Sequence, residues 1–210
     1  MAAIASTATL HLTGIEVADP NAVFYLGKPA FLRVFHSIRT LNIRLSKRMD
    51  SPVDILPYLE RLETFEAHPL CLPIYPPDTH LPLTQTLHSL YLKCVSIQWM
   101  AERVFPHLEQ SSIIFPHHAD IVRAVDMPSC SYLKYDSNNL GPLRHFNFPP
   151  LASLEIKCAQ WNSRRGNLQL VALYRIFSTG QSLTDLHLQV QCSEKMLVHI
   201  LRLLPALEQL

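Results

Sequence analysis

Two adjacent histidines with an acidic neighbour are the residues that most resemble a metal site. His117 and His118 stand just before Asp120, and Cys130 lies nearby in the sequence. A zinc site needs ligands that converge on one point, and HxxxH or HExxH achieves this by placing two histidines on one helical face. Neither pattern occurs in the chain, and the side chains of adjacent residues diverge. We therefore interpret the pair as solvated residues ahead of a helix, and we predict no metal and no other cofactor.

Cys94 and Cys158 are the candidates for nucleophilic catalysis, each with a histidine from elsewhere in the fold. Both come just after the apolar core of a predicted strand, so we favour buried thiols over reactive ones. Asp185 and His187 are two residues apart on one strand, but no GxSxG serine accompanies them. The chain has only five glycines and contains neither GxGxxG nor GxxxxGKS/T, so nucleotide binding has no support. We predict that the protein is not an enzyme and has no catalytic residues.

Charge and cysteine usage exclude further classes. Eighteen Lys and Arg residues against seventeen Asp and Glu leave a net charge of +1, which offers no electrostatic footprint for nucleic acid or an acidic membrane. The five cysteines form no CxxC motif, and the chain contains no NxS/T acceptor for N-glycosylation. We therefore expect reduced thiols in an intracellular protein, cytoplasmic or nuclear. No apolar run approaches the roughly 18 to 20 residues of a membrane span. The start, Met1 to Ala5, has no basic segment ahead of it, so we predict no signal peptide.

A repeated LxxLxL motif organises the chain. In each copy the second and third apolar positions alternate as a strand buried on one face requires, and the first position leads into that strand. The eight copies are Thr7/Leu10/Leu12, Ile38/Leu41/Ile43, Leu62/Phe65/Ala67, Leu87/Leu90/Leu92, Leu108/Ser111/Ile113, Cys130/Leu133/Tyr135, Leu151/Leu154/Ile156 and Leu183/Leu186/Leu188. A ninth copy begins at Leu207/Leu210 and is cut off.

The spacing of these copies predicts leucine-rich repeats. Successive first positions are 31, 24, 25, 21, 22, 21, 32 and 24 residues apart. Six of the eight steps fall in the window of roughly 20 to 29 residues that is typical of this repeat. We therefore predict an α/β fold over 1–210: a single irregular leucine-rich-repeat solenoid, with a parallel sheet on its concave face and short helices and loops on its convex face. Because a solenoid needs polar caps at its ends and none is visible, we expect a fragment.

An apolar residue followed by proline precedes several copies. The examples are LPYL (56–59), FPHL (105–108), MPSC (127–130), FPPL (148–151) and LPAL (204–207). Proline fixes its own φ and disfavours helix in the residue before it, so it should end the preceding element and lead the chain into the strand. In the third copy this proline leaves Leu59/Leu62 open as a competing register.

Several segments between the strands are predicted to be helical. Their apolar stripes are Ile97/Met100/Ala101/Val104, Ile121/Val122/Val125, Leu170/Val171/Tyr174/Phe177 and Leu197/Ile200/Leu201/Leu204. Two proline-containing connections, 68–82 and 138–150, are predicted to be extended loops.

Residues that flank the buried strand positions should form a continuous polar strip on the concave face. An aromatic anchor among charges of both signs suits a protein epitope. The alternative is that any solvated sheet face is polar. The candidate partner-binding residues are Arg44, Glu66, Tyr91, Lys93, Lys134, Glu155, Lys157, Asp185 and His187.

Phrases such as LPYLERLETF, FPPLASLEIKC and QSLTDLHLQV, together with the irregular repeats, resemble fungal F-box-associated leucine-rich-repeat proteins. The resemblance covers nearly the whole chain and lies in spacing rather than in an invariant signature. In that family an F-box docks onto a ubiquitin-ligase scaffold, and the repeats bind the protein to be ubiquitinated. No F-box is visible, because Met1 to Leu12 leaves no room for one.

These observations predict a protein–protein interaction module, and the resemblance implies the substrate-recognition part of an F-box-type ligase adaptor. The expected partner is a client protein, with the ligase scaffold joining only if a longer chain carries an F-box. Nucleic acid and membrane are not expected partners. The alternatives are a small intracellular α/β enzyme with a Cys/His site and a truncated, non-functional homologue.

Overall fold

The computed structural model describes residues 14–19, 35–46, 52–115, 123–147, 151–158, 173, 175–177, 182–190, 198 and 202. Several predictions lie outside these residues, among them the first repeat at Thr7/Leu10/Leu12, the cut-off copy at Leu207/Leu210, the proline segment at 204–207, and the pair His117 and His118 with Asp120.

Most of the described chain belongs to two parallel sheets. Eight strands form the larger sheet in chain order: β1 (Gly14–Val17), β2 (Thr40–Arg44), β3 (Thr64–His68), β4 (Ser89–Lys93), β6 (Gln110–Ile114), β8 (Tyr132–Asp136), β10 (Ser153–Cys158) and β11 (Asp185–Val190). Three two-residue strands form the smaller sheet: β5 (Arg103–Val104), β7 (Val125–Asp126) and β9 (Phe146–Asn147). Every strand pair is parallel. The described residues thus form an open, mostly parallel α/β structure with few helices.

The predicted strand register is correct from the second copy to the eighth. Phe65 of β3 pairs with Leu41 on one side and with Leu90 on the other. The same alignment continues through Ser111, Leu133, Leu154 and Leu186. Leu62 precedes β3 and is not aligned with these positions, so the competing Leu59/Leu62 register is wrong.

The strand that pairs with β2 was not among the predicted copies. Ile15 of β1 pairs with Leu41, and Val17 pairs with Ile43, so this strand lies at 14–17. Isoleucine and valine are both favoured in strands. The predicted first copy at Thr7/Leu10/Leu12 lies outside the described residues.

A repeated backbone hydrogen-bond pattern ties neighbouring strands together just before they begin. The carbonyl of Arg39 accepts hydrogen bonds from the amides of both Glu63 and Thr64. The carbonyl of Glu63 in turn accepts from His88 and Ser89. The carbonyls of His88, Glu109, Ser131 and Ala152 each accept two hydrogen bonds from the next unit in the same way. Each acceptor stands two residues before the aligned core position, so successive units enter the sheet with one shared geometry.

Three of the five apolar–proline segments lie wholly within the described residues, and these three form single turns rather than ending α-helices. The amide of Leu59 donates to the carbonyl of Leu56, Leu108 donates to Phe105, and Cys130 donates to Met127. Each bond closes one turn around the proline, whose fixed φ suits this position. The LPYL turn ends three residues further from its strand, β3, than the FPHL and MPSC turns end from theirs. This longer spacing explains why LPYL offered a competing register.

One predicted helix is wrong, and a second does not extend to Val125, while its residues Ile121 and Val122 lie outside the described residues. The stripe Ile97/Met100/Ala101/Val104 forms a single 3₁₀ turn at Gln98–Met100 and then β5, and Val104 is exposed. Val125 lies in β7. Helical spacing arises here by chance, because the buried residues belong to a turn followed by a strand. In the two later predicted helices, residues 173, 175–177, 198 and 202 are helical, and Phe177 is buried.

The two predicted loops differ in outcome. Residues 69–81 contain no regular secondary structure before the 3₁₀ helix Pro82–Gln85, as expected. The segment 138–150 is not a plain loop, because it contains the 3₁₀ helix Gly141–His145 and β9. A further 3₁₀ helix, Leu56–Tyr58, precedes β3.

Arg103 fixes the loop at 69–81 from inside the protein. This residue of β5 is only 8% exposed. Its guanidinium donates to the carbonyls of Trp99, Pro76 and Thr79, each at 2.8 Å. Burial lowers the pKa of Arg103, and the charges of Tyr75 and Asp78 offset this in part. A proline-rich segment has few amides for sheet pairing, so this arginine replaces backbone pairing as its anchor.

Both sheets contribute to one hydrophobic cluster. Leu41, Phe65 and Leu133 of the larger sheet are buried in the same cluster as Trp99 and Phe146. Ser111 occupies a position in this series where the neighbouring strands carry Leu90 and Leu133. It is 1% exposed, and its hydroxyl has no hydrogen-bond partner among the described residues.

We predict that Ser111→Ala stabilises the fold. Removing a buried hydroxyl without a partner should recover about 1 kcal/mol, because an unmet hydrogen bond costs roughly that much. Urea denaturation measures the change. Ser182→Ala is the matched control, since the Ser182 hydroxyl donates to the carbonyl of Leu151 at 3.1 Å, and its loss should destabilise. A lower stability for Ser111→Ala would contradict the placement of this hydroxyl in the core.

Candidate protein-binding face

All nine predicted partner-binding residues lie on the larger sheet. Along each strand they alternate with the buried core positions, and so occupy the opposite face. We call this the polar face. Its central row, defined by the strand pairing, runs Asn42, Glu66, Tyr91, Ser112, Lys134, Glu155, His187. The structure thus brings the predicted residues together on one surface.

The half of the polar face formed by β2, β3 and β4 carries a charged and aromatic group centred on Glu66. Arg44 binds Glu66 with two hydrogen bonds, at 3.0 and 3.1 Å, and this raises the pKa of Arg44. Nε2 of His68 lies 3.5 Å from a carboxylate oxygen of Glu66, and the His68 ring stacks on Tyr91 with centroids 5.1 Å apart. Sequence analysis missed His68, although it is the next residue of β3 on the same face after Glu66.

A second group lies on β8 and β10. Lys134 donates to Glu155 at 2.7 Å, and the hydroxyl of Tyr132 lies 3.4 Å from the other carboxylate oxygen. The bond to Glu155 raises the pKa of Lys134, whereas burial, followed by the charge of Glu155, raises the pKa of Tyr132. Ser153 donates to Asp185 at 2.9 Å. The carboxylates of Glu155 and Asp185 thus already accept hydrogen bonds from side chains of the polar face.

The three lysines of the polar face differ in their pairing. Lys134 pairs with Glu155, and Lys157 reaches Asp136 at 4.0 Å. Lys93 is exposed and, within the described residues, has no carboxylate at ion-pair distance. The positive charge of Lys93 is therefore available to a binding partner.

Ser112 forms the low point of the central row. It stands between Tyr91 and Lys134 and has the smallest side chain of the row. It is 9% exposed, and its hydroxyl has no partner among the described residues. The face is thus lowest at β6, between an aromatic residue and a lysine.

An exposed aromatic residue follows Ser112 at the end of β6. Phe115 is 44% exposed and has φ of 46°. This left-handed conformation is costly for a residue with a bulky side chain. Sequence analysis missed Phe115, because no local signal predicts this backbone conformation for phenylalanine.

The cysteines and histidines considered for catalysis do not converge among the described residues. Cys158 is 1% exposed in β10, and Cys94 follows β4 with φ of 55°. Burial raises the pKa of Cys130 to about 12, and its thiol donates to the carbonyl of Tyr132. Within the part of the chain that the structure describes, no three His, Cys, Asp or Glu side chains cluster as metal ligands. The same part contains no helix long and apolar enough to cross a membrane.

Two histidines predict how stability depends on pH. Burial, followed by nearby cations, lowers the pKa of His145, and Arg144 donates to its Nε2 at 2.9 Å, which requires the unprotonated ring nitrogen. Burial also lowers the pKa of His68. A lowered folded-state pKa means that the unfolded chain binds the proton first, so stability should fall as pH drops below about 6.5.

Urea denaturation at pH 7.5 and pH 5.5 measures this effect. We expect His145→Gln and His68→Gln each to reduce the difference in unfolding free energy between the two pH values. An unchanged difference in both variants would contradict the assigned role of these histidines.

Comparison of the chain with protein-family models, with curated proteins and with solved structures finds no match.

Proposed function

We propose that the protein is a leucine-rich-repeat solenoid that binds another protein through its polar face. The observation that carries the proposal is one parallel sheet with a buried face and a solvent-accessible polar face. Parallel sheets are usually covered on both faces. A parallel sheet that leaves one face accessible, with side chains arrayed in rows, is the arrangement that repeat proteins use for binding.

The repeat interpretation is supported by the hydrogen bonds between units. A carbonyl that accepts two backbone hydrogen bonds, first seen at Arg39, recurs at the same position of successive units. The core position stays in register from Leu41 to Leu186. Units that contact only their neighbours and share one entry geometry are the defining feature of a solenoid.

The composition of the polar face favours a protein over other ligands. Cations and carboxylates alternate, as in the pairs Arg44 with Glu66 and Lys134 with Glu155. A polyanion such as nucleic acid requires a basic surface. A mixed surface with Tyr91 at its centre suits the polar rim and aromatic anchor of a protein interface.

The client-binding role in a ubiquitin ligase extends this proposal. Its support is the resemblance of LPYLERLETF and similar phrases to F-box-associated proteins. In that role the polar face holds the client, and an F-box on a longer chain supplies the scaffold contact. Co-purification of ligase scaffold subunits with such a longer chain tests the extension separately from client binding.

Charge reversal on the polar face tests the main proposal. The variant Lys93→Glu/Lys134→Glu/Lys157→Glu should lose partners that the unaltered chain captures from cell extract, as quantified by mass spectrometry. The control Arg61→Glu/Arg123→Glu/Arg202→Glu makes the same change of charge at exposed positions off this face and should retain them.

Thermal melts of both variants establish that each is folded before capture. Equal capture by the face variant, the control and the unaltered chain would overturn the proposal. Capture of chaperones alone would do the same and would favour an unstable, non-functional homologue.

A further inference from the structure

The middle of the polar face contains three features that the ion pairs leave unused. They are the ammonium of Lys93 and the hydroxyl of Ser112, which have no partner among the described residues, and the exposed ring of Phe115 on a left-handed backbone. All three belong to β4, β6 or the residue that follows β6. This part of the face is therefore the candidate contact site for a partner.

The charge of the missing group follows from the ion pairs around it. Glu66 is held by Arg44, Glu155 by Lys134, and Asp136 lies near Lys157. Lys93 keeps its charge uncompensated among the described residues. A group that completes the pairing must therefore be negative.

The position of that group follows from the strand register. Tyr91 pairs with Ser112, and Lys93 pairs with Ile114 on the same two strands. Lys93 thus lies two residues further along the face than Tyr91, on the side toward Phe115. A carboxylate placed over Ser112 comes within reach of the Lys93 ammonium, and the next side chain of the same peptide lies toward Ile114 and Phe115.

The exposure of Phe115 indicates a contact for its side chain outside the fold. Its left-handed backbone does not set it apart, because Cys94 follows β4 in the same conformation in which Phe115 follows β6. Phe115 is 44% exposed, and it is the residue after Ile114, which pairs with Lys93. An exposed aromatic ring near an exposed lysine is typical of an interface anchor.

The geometry points to a partner peptide that places an Asp or Glu side chain at Lys93 and Ser112, and an adjacent apolar side chain on Ile114 and Phe115. This inference rests on the proposed function and specifies the partner's chemistry. The occupant is an extended protein segment, because its acidic contact bridges β4 and β6, which are neighbouring strands about 4.8 Å apart, and its apolar contact lies further along the chain, at Ile114 and Phe115.

Selection from a phage-displayed library of random linear peptides tests the inference. The chain is immobilised, and selected peptides are sequenced. We expect enrichment of Asp or Glu next to an apolar residue. Selection on Lys93→Glu should replace the acidic position with Lys or Arg, while the apolar position is kept. Selection on Arg61→Glu, which is exposed off this face, should leave the enrichment unchanged.

Phe115→Asn separates binding from folding. Asparagine tolerates the left-handed backbone, so the melting temperature should stay the same or rise. Binding of a selected peptide should weaken about tenfold or more, as expected for loss of an aromatic anchor. The control Val104→Thr removes another exposed apolar side chain, in β5, and should leave binding unchanged.

The outcomes distinguish the inference from the proposed function. Face-dependent peptides without an acidic preference, or with no response to Lys93→Glu, overturn the inference and leave the protein-binding function standing. Unchanged peptide binding by Phe115→Asn overturns the apolar contact. If no peptide binds the chain, the inference is overturned, and the capture experiment with charge-reversed variants then decides the proposed function on its own.

Discussion

Phe65→Ala is expected to destabilise the protein by about 3 to 5 kcal/mol, the usual cost of truncating a buried phenylalanine. Phe65 is fully buried in β3 and pairs with Leu41 and Leu90 on either side. Its ring therefore contacts two neighbouring units, and the cavity left by its removal would lie at their junction. Because each unit of a stack relies on its neighbours, the loss should separate the unfolding of β1 and β2 from that of the later strands.

Urea denaturation followed by circular dichroism measures the change in unfolding free energy of Phe65→Ala. Ile74→Ala is the control, because Ile74 is 71% exposed and its truncation should change stability by less than about 0.5 kcal/mol. A loss below about 1 kcal/mol for Phe65→Ala would mean that the third unit is not packed between its neighbours as described.

Arg103→Met should cost about 2 to 4 kcal/mol. Methionine keeps much of the length of the side chain and removes every donor, so the carbonyls of Pro76, Thr79 and Trp99 lose the guanidinium that they share. Hydrogen bonds from a charged donor contribute more than neutral ones, and buried acceptors without a partner are costly. Relief from burying the charge offsets part of this loss.

Two measurements check the role of Arg103. Urea denaturation gives the loss of stability, and limited proteolysis should show faster cleavage within 69–81. Arg103→Lys should recover only part of the stability, because an ammonium cannot donate hydrogen bonds to all three carbonyls as the planar guanidinium does. Arg123→Met is the control, since Arg123 makes an exposed ion pair with Glu102 whose loss should cost about 1 kcal/mol or less. Equal effects of Arg103→Met and Arg123→Met would contradict the anchoring role.

The sequence predicted the larger sheet well because its pattern has a physical cause in every unit. A strand with one buried face needs apolar residues two apart, and this alone aligned Leu41, Phe65 and Leu154. Ser111 was aligned despite its polarity, because the spacing of its neighbours fixed the register. The strand at Ile15 and Val17 was missed, because two alternating apolar residues are a weak signal and only the pairing with β2 reveals the strand.

The connections between strands could not be predicted in the same way. Ile97, Met100 and Val104 match helical spacing, yet they occupy a turn and a short strand of the smaller sheet. Short apolar patterns fit several structures, and contacts distant in sequence choose among them. The anchoring by Arg103 depends on carbonyls 24 to 27 residues earlier, so no local pattern could show it.

The sequence predicted which residues lie on the polar face, but not which of them form ion pairs with each other. Alternation placed Arg44, Glu66 and Lys134 on one face, as the structure has them. It could not tell which lysine lacks a carboxylate, because pairing depends on register across strands and on side-chain conformation. For this reason the three lysines were treated alike in the sequence, whereas the structure separates Lys93 from Lys134 and Lys157.

Site-specific photo-crosslinking tests the central claim, that the polar face contacts a protein partner, most directly. A photoreactive phenylalanine analogue replaces Tyr91, at the centre of the face, and in a second protein replaces Val104, which is exposed on β5 of the smaller sheet. Both proteins are irradiated in cell extract and their adducts are identified by mass spectrometry. The account predicts a defined protein adduct from position 91 and none of the same identity from position 104. No adduct from position 91, or the same adduct from both positions, would contradict it.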